Sequence, residues 1–266
     1  MSLIAENISL HANGEIRLRE ISCEIRPGEL TVIIGPNGSG KTSLIKTLAG
    51  ELTPTQGCVS LDGLDLREWK AGELAQRRAV MPQHATLDFP FRVSDVVALG
   101  RSPYPRDLQK DQNLVEDSMA CFDIKALADR MYTSLSGGER QRVQLARVWV
   151  QLSQPEGALP RYLLLDEPSS ALDLRHQREL LALLKSSVHS GQFGVATALH
   201  DLNSAAQYAD QLILLNKGSI AASGSREQVF TTENITNIYK VPVEFLRYTA
   251  GKKQVIAVPN IVATDD

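Results

Sequence analysis

Short apolar runs alternate along this chain with longer amphipathic stretches. Leu30 to Ile34 (LTVII) lies between Gly28 and Gly35 and predicts a buried strand. Thr42 to Leu48, beyond a glycine-rich turn, reads as the start of a helix. Tyr162 to Leu165 predicts a second buried strand, ending in Asp166-Glu167-Pro168, and Gly194 to Leu199 a third, followed by His200-Asp201. Between these last two, Arg175 to Val188 carries leucines at 180, 181, 183 and 184, a helical spacing. Strands alternating with helices predict an α/β fold with a mostly parallel sheet. From about Asp88 to Gln151 the pattern is helical, broken by Pro103 and Pro105, with no convincing strand. That segment reads as a helical subdomain inserted into the α/β core. Ser153 to Arg161 has turn composition, and residues beyond about Arg226 carry no clear motif. The expectation is one domain over 1–266, with a core of about 1–87 and 152–225, a helical subdomain of about 88–151 and a tail of 226–266.

Composition narrows the function classes. The formal net charge of -3 argues against a broad basic face, so no nucleic-acid partner is expected. The three cysteines, Cys23, Cys58 and Cys121, are far apart and show neither metal spacing nor a disulfide framework, which fits a reducing cytoplasm. The first residues, Met1 to Glu6, lack a basic segment followed by an apolar one. No apolar run approaches the roughly 18–20 residues needed to cross a bilayer. The chain is expected to be soluble, with any membrane link made through a partner.

Three motifs carry chemistry. Gly35-Pro36-Asn37-Gly38-Ser39-Gly40-Lys41-Thr42 fits G-x-x-x-x-G-K-[ST] between a predicted strand and a predicted helix. The glycines let backbone N–H groups point at phosphate oxygens, and the helix N-terminus adds partial positive charge. Lys41 can reach the β- and γ-phosphates, the Thr42 hydroxyl can bind Mg²⁺, and Ser43 follows in the same turn. The plainer alternative is a glycine-rich turn with an accidental lysine. In the second motif, a buried strand delivers Asp166 and Glu167 to the edge of the sheet where ligands of open α/β sheets bind. Asp166 would hold Mg²⁺, partly through water, and Glu167 would polarise the attacking water. Without the phosphate loop, a solvated acidic strand end would be the better reading. The third motif, Leu135-Ser136-Gly137-Gly138-Glu139, opens a helix and offers N–H groups and a hydroxyl to an anion. Ser136 with Glu139 three residues on is also a capping box, and both roles are compatible. Arg140, Arg142 and Arg147 read as a solvated helix face.

In this order the motifs resemble the Walker A, signature and Walker B sequences of ABC ATPases, over roughly residues 3 to 225. Gln83, in Val80-Met81-Pro82-Gln83, is similar to the Q-loop glutamine of that family. Ser170-Ala171-Leu172-Asp173 resembles the D-loop, and His200 the switch histidine. Glu139 stands where many relatives have Gln. The resemblance implies a P-loop NTPase (RecA-like) core, an inserted helical subdomain and a small N-terminal β subdomain. It implies ATP and Mg²⁺ as cofactors, with catalytic roles for Glu167, His200 and Gln83. Residues 35–43, Ser136, Gly137, Gly138 and Asp173 would contact nucleotide, and Thr42, Gln83 and Asp166 would bind Mg²⁺. It further implies a head-to-tail dimer, with each ATP between the phosphate loop of one copy and Ser136-Gly137-Gly138 of the other.

Phe89 to Tyr104 and His200 to Asp210 resemble ATPases that serve iron-siderophore, heme and vitamin B12 importers. The long spacing from signature to Walker B, through Ser153 to Arg161, is similar to the heme importer ATPases. Implied partners are two permease subunits, contacted near Gln83 to Arg101, and indirectly a periplasmic substrate-binding protein. The implied location is the cytoplasmic face of the inner membrane, held peripherally. Ferric siderophore or vitamin B12 import, a non-transport ABC ATPase and a non-catalytic nucleotide-binding subunit stand as alternatives. One departure is notable. The family usually has an adenine-stacking aromatic residue some 25 positions before the phosphate loop. An ungapped count puts Ala12 in that slot, with His11 beside it.

Overall fold

The computed structural model describes all residues except 13, 84–86, 88, 154–158, 251 and 260–266. The chain opens with strands β1 (Leu3–Ala12) and β2 (Glu15–Ile25), followed by β3 (Leu30–Ile34) and helix α1 (Lys41–Leu48). Strands β4 (Gln56–Leu61) and β5 (Leu64–Asp65) lead to α2 (Ala71–Arg77) and β6 (Arg78–Met81). Helices α3 (Val93–Ala98), α4 (Leu108–Cys121) and α5 (Gly137–Leu152) come next. Then β7 (Arg161–Asp166), α6 (Leu174–Val188), β8 (Phe193–Ala198), α7 (Leu202–Tyr208), β9 (Gln211–Asn216) and β10 (Ser219–Gly224) complete the sheet region. The chain finishes with α8 (Arg226–Val229), α9 (Thr232–Tyr239) and the hairpin β11 (Val243–Ala250) and β12 (Lys252–Pro259).

The central sheet has the order β10-β9-β3-β8-β7-β6, parallel except for the antiparallel β10 edge. Side chains of successive strand residues point to opposite faces. Leu30, Val32 and Ile34 of β3, Leu163 and Leu165 of β7, and Leu212 and Leu214 of β9 therefore share one core. Residues from α3, α5, α6 and α7 complete it. Their neighbours Ile33, Tyr162, Leu164, Ile213 and Leu215 face the other side. There they meet Leu44, Ile45 and Leu48 of α1 and apolar residues of β1 and β2. Both faces are covered, which explains why these strands read as continuous apolar runs.

The small sheet β2-β1-β4-β5 is antiparallel and caps the α1 side. Between Met81 and Arg161 the described residues form helices and turns, apart from one isolated bridge, Arg92 to Met131. Most of the loop expected at Ser153 to Arg161 lies outside the described residues. The described residues beyond Arg226 form further helices and a hairpin: α9 packs on the core through Ile235, and β12 runs beside α7.

Of the three arginines of α5, Arg140 is exposed as expected, whereas Arg142 and Arg147 are partly buried and do not form a solvated face. Arg140 donates to the Thr133 carbonyl at 2.5 Å, and Arg142 reaches His176 and Asp123. Arg147 is bonded to Gln144 at 2.8 Å, and burial pushes its pKa down. The apolar stripe of α5 fills the core, so arginines on its flanks are drawn onto neighbouring carbonyls and carboxylates. Arg101, expected near a permease groove, is 6% exposed, paired with Asp111 at 2.8 Å and stacked over Tyr104. Val93 is fully buried, whereas Phe89 is 70% and Phe91 40% exposed.

Candidate active site

The phosphate loop turns where β3 ends. Gly35 has φ 153, and a Cβ there would lie 2.4 Å from the Leu215 carbonyl oxygen. Gly40 has φ 107, and a Cβ would come within 2.9 Å of the Arg17 carbonyl. Only glycine fits both the backbone angle and the space. Gly40 caps α1 without a side-chain bond, so the first N–H groups of the helix remain open to an anion. Lys41 folds back over the loop and donates to the carbonyls of Gly35 (2.9 Å) and Pro36 (3.2 Å). Burial pushes its pKa down, against the pull of Glu167 and Asp166.

One cavity of about 1160 Å³ gathers Asn37, Gly38, Ser39, Gly40, Lys41, Thr42, Ser43, Gln83, Glu167 and His200. Gly35 and Pro36 lie beneath it as acceptors for Lys41. Asp166, at the end of β7, is 1% exposed, and neither carboxylate oxygen has a hydrogen-bond partner. Its pKa is raised, chiefly by burial and also by Glu167, against the Thr42 hydroxyl and Lys46 and Lys41. Glu167 adopts φ 52, a left-handed backbone that a side chain larger than glycine rarely takes. That turn aims its carboxylate into the cavity. Gln83 donates to one carboxylate oxygen at 2.7 Å, and His200 Nε2 pairs with the other. Two residues from neighbouring strand ends thus converge on the carboxylate at the end of a third.

Ser136, Gly137, Gly138 and Asp173 are not part of this cavity's wall. The signature turn packs instead against the loop after β7, and a Cβ on Gly138 would lie 2.9 Å from the Ala171 carbonyl. Ser136 caps α5: its hydroxyl oxygen accepts from Glu139 N–H, and Glu139 accepts from Ser136 N–H at 2.7 Å.

Two residues at the site escaped sequence reasoning. Gln141, 8% exposed, donates to the Glu167 carbonyl (3.1 Å) and accepts from Ala171 N–H (2.7 Å). The half-buried Tyr239 brings the tail up beside Gly35, and burial pushes its phenol to about 12. Neither had a sequence signal, because each acts on a loop remote in the chain. The far end of the cavity corrects a third expectation. Glu15, Ile16, Arg17, Lys217 and Gly218 line it, not Ala12 or His11, and no aromatic residue appears among the described lining residues. His11 points toward Thr55. The hairpin between β1 and β2 carries the chain past the ungapped slot and presents the start of β2 to the cavity.

The ABC transporter family model matches residues 18–170, spanning the phosphate loop, the signature turn and the Asp166-Glu167 strand end. This chain belongs to the ABC transporter family. As an ABC family protein it is an ATP-binding ATPase subunit. It is 46% identical to the hemin import ATP-binding protein HmuV of Gloeobacter violaceus, over 92% of this chain and 90% of that one. It is 42% identical to the protein of the same name from Escherichia coli O157:H7, over 96% and 99% of the two chains. Among solved structures it matches a transporter assigned to the metal-chelate type of ABC transporter, in an inward-facing conformation. That match has 27% identity and TM-score 0.79, over 97% and 96% of the chains. The dimeric ABC transporter cassette MJ0796 shares the fold at TM-score 0.75 and 23% identity, over 84% of this chain and 98% of that one. Among the described residues, no helix is long and apolar enough to cross a membrane.

Proposed function

We propose that this ATPase powers import of heme through a separate permease. The observation that carries the reading is near full-length agreement, at 40–46% identity, with three proteins named as hemin import ATP-binding proteins. The chain works as a head-to-tail pair on two permease subunits at the cytoplasmic face of the inner membrane, fed by a periplasmic binding protein. Exposed Phe89 and Phe91 suit the permease contact, while buried Val93 and Arg101 support the helical subdomain beneath it. The whole chain acts as one ATPase domain, with the helical insert over about 88–151 and the tail from 226.

ATP lies along the cavity with its phosphates on residues 35–43. Asp166 fits a hard cation: its two buried carboxylate oxygens accept no hydrogen bond within 3.5 Å, and the Thr42 hydroxyl stands near them. No group of three or more His, Cys, Asp or Glu residues capable of holding a metal occurs among the described residues. Such a donor set suits Mg²⁺, which takes one or two protein ligands and completes its shell with phosphates and water. Thr42, Asp166 and, on the approach side, Gln83 would hold it, and when bound it neutralises phosphate charge. Glu167 orients the attacking water, with Gln83 and His200 fixing its carboxylate. Asp173 and the Ser136-Gly137-Gly138 turn serve the site of the opposite copy.

Two measurements test the proposal. Glu167→Gln keeps the shape but removes the charge that orients water. Turnover should fall by about 10² or more while ATP still binds. In vesicles rebuilt with the permease, ATP should drive accumulation of heme, and the variant should abolish it. Accumulation of cobalamin or a ferric siderophore in place of heme would overturn the substrate and leave the ATPase role standing.

A further inference from the structure

His176, on the first turn of α6, stands between two groups of opposite charge. On one side Arg142 Nη1 of α5 lies 2.5 Å from its Nε2. On the other, its Nδ1 lies 2.9 Å from both carboxylate oxygens of Asp173. A guanidinium can only donate, so Nε2 is the acceptor and the ring proton sits on Nδ1. A carboxylate can only accept, which requires the same tautomer from the other side. Asp173 is also the N-cap of α6, accepting from the His176 backbone N–H at 2.9 Å. Arg142 is in turn 3.4 Å from Asp123, whose carboxylate is 3.7 Å from His176 Nε2. Of the charged residues nearby on α6, Arg175 and Glu179 pair with each other at 2.8 Å. The His176 side chain is 18% exposed, so the ring works largely out of water.

We propose that His176 is a positioning residue for ATP hydrolysis, relaying the Arg142 guanidinium of the signature helix onto the Asp173 carboxylate as the neutral Nδ1–H tautomer. The inference rests on the paired reading above, in which Asp173 serves the opposite copy's site. The physical reason is connectivity. Asp123 and Arg142 belong to the helical segment, and His176 and Asp173 to the sheet side. One residue along, Gln141 of α5 holds the same loop by accepting from the Ala171 backbone N–H and donating to the Ser170 hydroxyl. Gln177 of α6 braces that loop from the sheet side, donating to the carbonyls of Ser169 and Leu172. The backbone of the 169–173 loop is thus shared between the two sides. The Asp173 side chain is connected to the signature helix only by way of the His176 ring, among the described contacts. When the signature helix moves, the relay makes the Asp173 carboxylate move with it.

The experiment uses the full chain. In ¹⁵N-histidine spectra, His176 should show a protonated Nδ1 and a bare Nε2, the reverse of the form free imidazole favours. His176→Ala and Arg142→Met should each lower kcat by about tenfold. ATP affinity of the isolated chain should stay within about twofold. The double variant should be no slower than either single, because both cut one chain of contacts. His176→Asn puts an amide near the Nδ1 position and can restore the melting temperature by bonding Asp173. It cannot reach Arg142, so kcat should stay low. Losses that multiply in the double variant would overturn the relay. So would an Nε2–H tautomer, or recovery of kcat together with melting temperature in His176→Asn. Loss of ATP binding by the isolated chain would also overturn it, by showing a defect in folding or in the nucleotide pocket.

Discussion

Asp166 shows at the scale of one residue how function sets the environment. A carboxylate whose burial outweighs the help of a nearby hydroxyl and lysines costs folding free energy unless a cation joins it. Asp166→Asn should therefore raise the melting temperature of the nucleotide-free chain while removing Mg²⁺-dependent turnover. Melts with and without Mg²⁺-ATP check both halves, and a lower melting temperature in the free variant would refute the argument. The opposite end of the cavity sets base preference. Stacking on an aromatic ring is worth about 1–3 kcal/mol per base, and this cavity offers Ile16 instead, 47% exposed, beside the Glu15–Arg17 ion pair. GTP should be used within about tenfold of ATP in kcat/KM, a gap of roughly 1.4 kcal/mol. Ile16→Tyr should lower the KM for ATP. A wild-type preference for ATP of about a hundredfold would show that Ile16 and its neighbours read the base strongly.

At the scale of elements, legibility followed the range of the forces involved. Strands buried on both faces were plain as apolar runs, and the turns at Gly35 and Ser136 were plain because local backbone chemistry dictates them. The N-terminal sheet was less so. Register shifts between Ala5 and Ile8, and again near Leu10, break the period of two that marks a half-buried strand. Arg142 was misread and Gln141 missed because their partners, His176 and Ala171, lie some 30 residues away along the chain. The cap of α5 is local enough to predict in numbers. Ser136→Ala should cost about 1 kcal/mol of stability, read by urea unfolding. Glu139→Gln should be nearly neutral, since an amide oxygen can accept from Ser136 N–H as the carboxylate does. A loss in Glu139→Gln equal to that in Ser136→Ala would mean that the carboxylate charge, not the bond, supports the helix start.

On the scale of the whole molecule, the proposed pairing makes the cavity half a site. Its wall holds the phosphate loop, Glu167, Gln83 and His200, but no residue of Ser136-Gly137-Gly138. Nothing there closes over the phosphate from the open side, and water exclusion is what strengthens charge stabilisation in phosphoryl transfer. In the head-to-tail pair proposed above, a second copy with its Ser136 hydroxyl toward the phosphate would supply both closure and a donor. This arrangement has a consequence that one protomer alone cannot show. Lys41→Ala removes the lysine from its own phosphate loop, while Ser136→Arg spoils the turn offered to the other copy. Each variant alone should be inactive. When the two are mixed, a mixed pair places both defects in one site and leaves the second site intact. Hydrolysis should therefore reappear on mixing and rise with total protein concentration. The isolated Ser136→Arg chain should bind ATP as well as the wild type, measured by fluorescence titration. Silence on mixing, with mixed pairs demonstrated by cross-linking, would mean that one intact site cannot fire alone. Weakened ATP binding by the isolated Ser136→Arg chain would instead place Ser136 in its own copy's cavity.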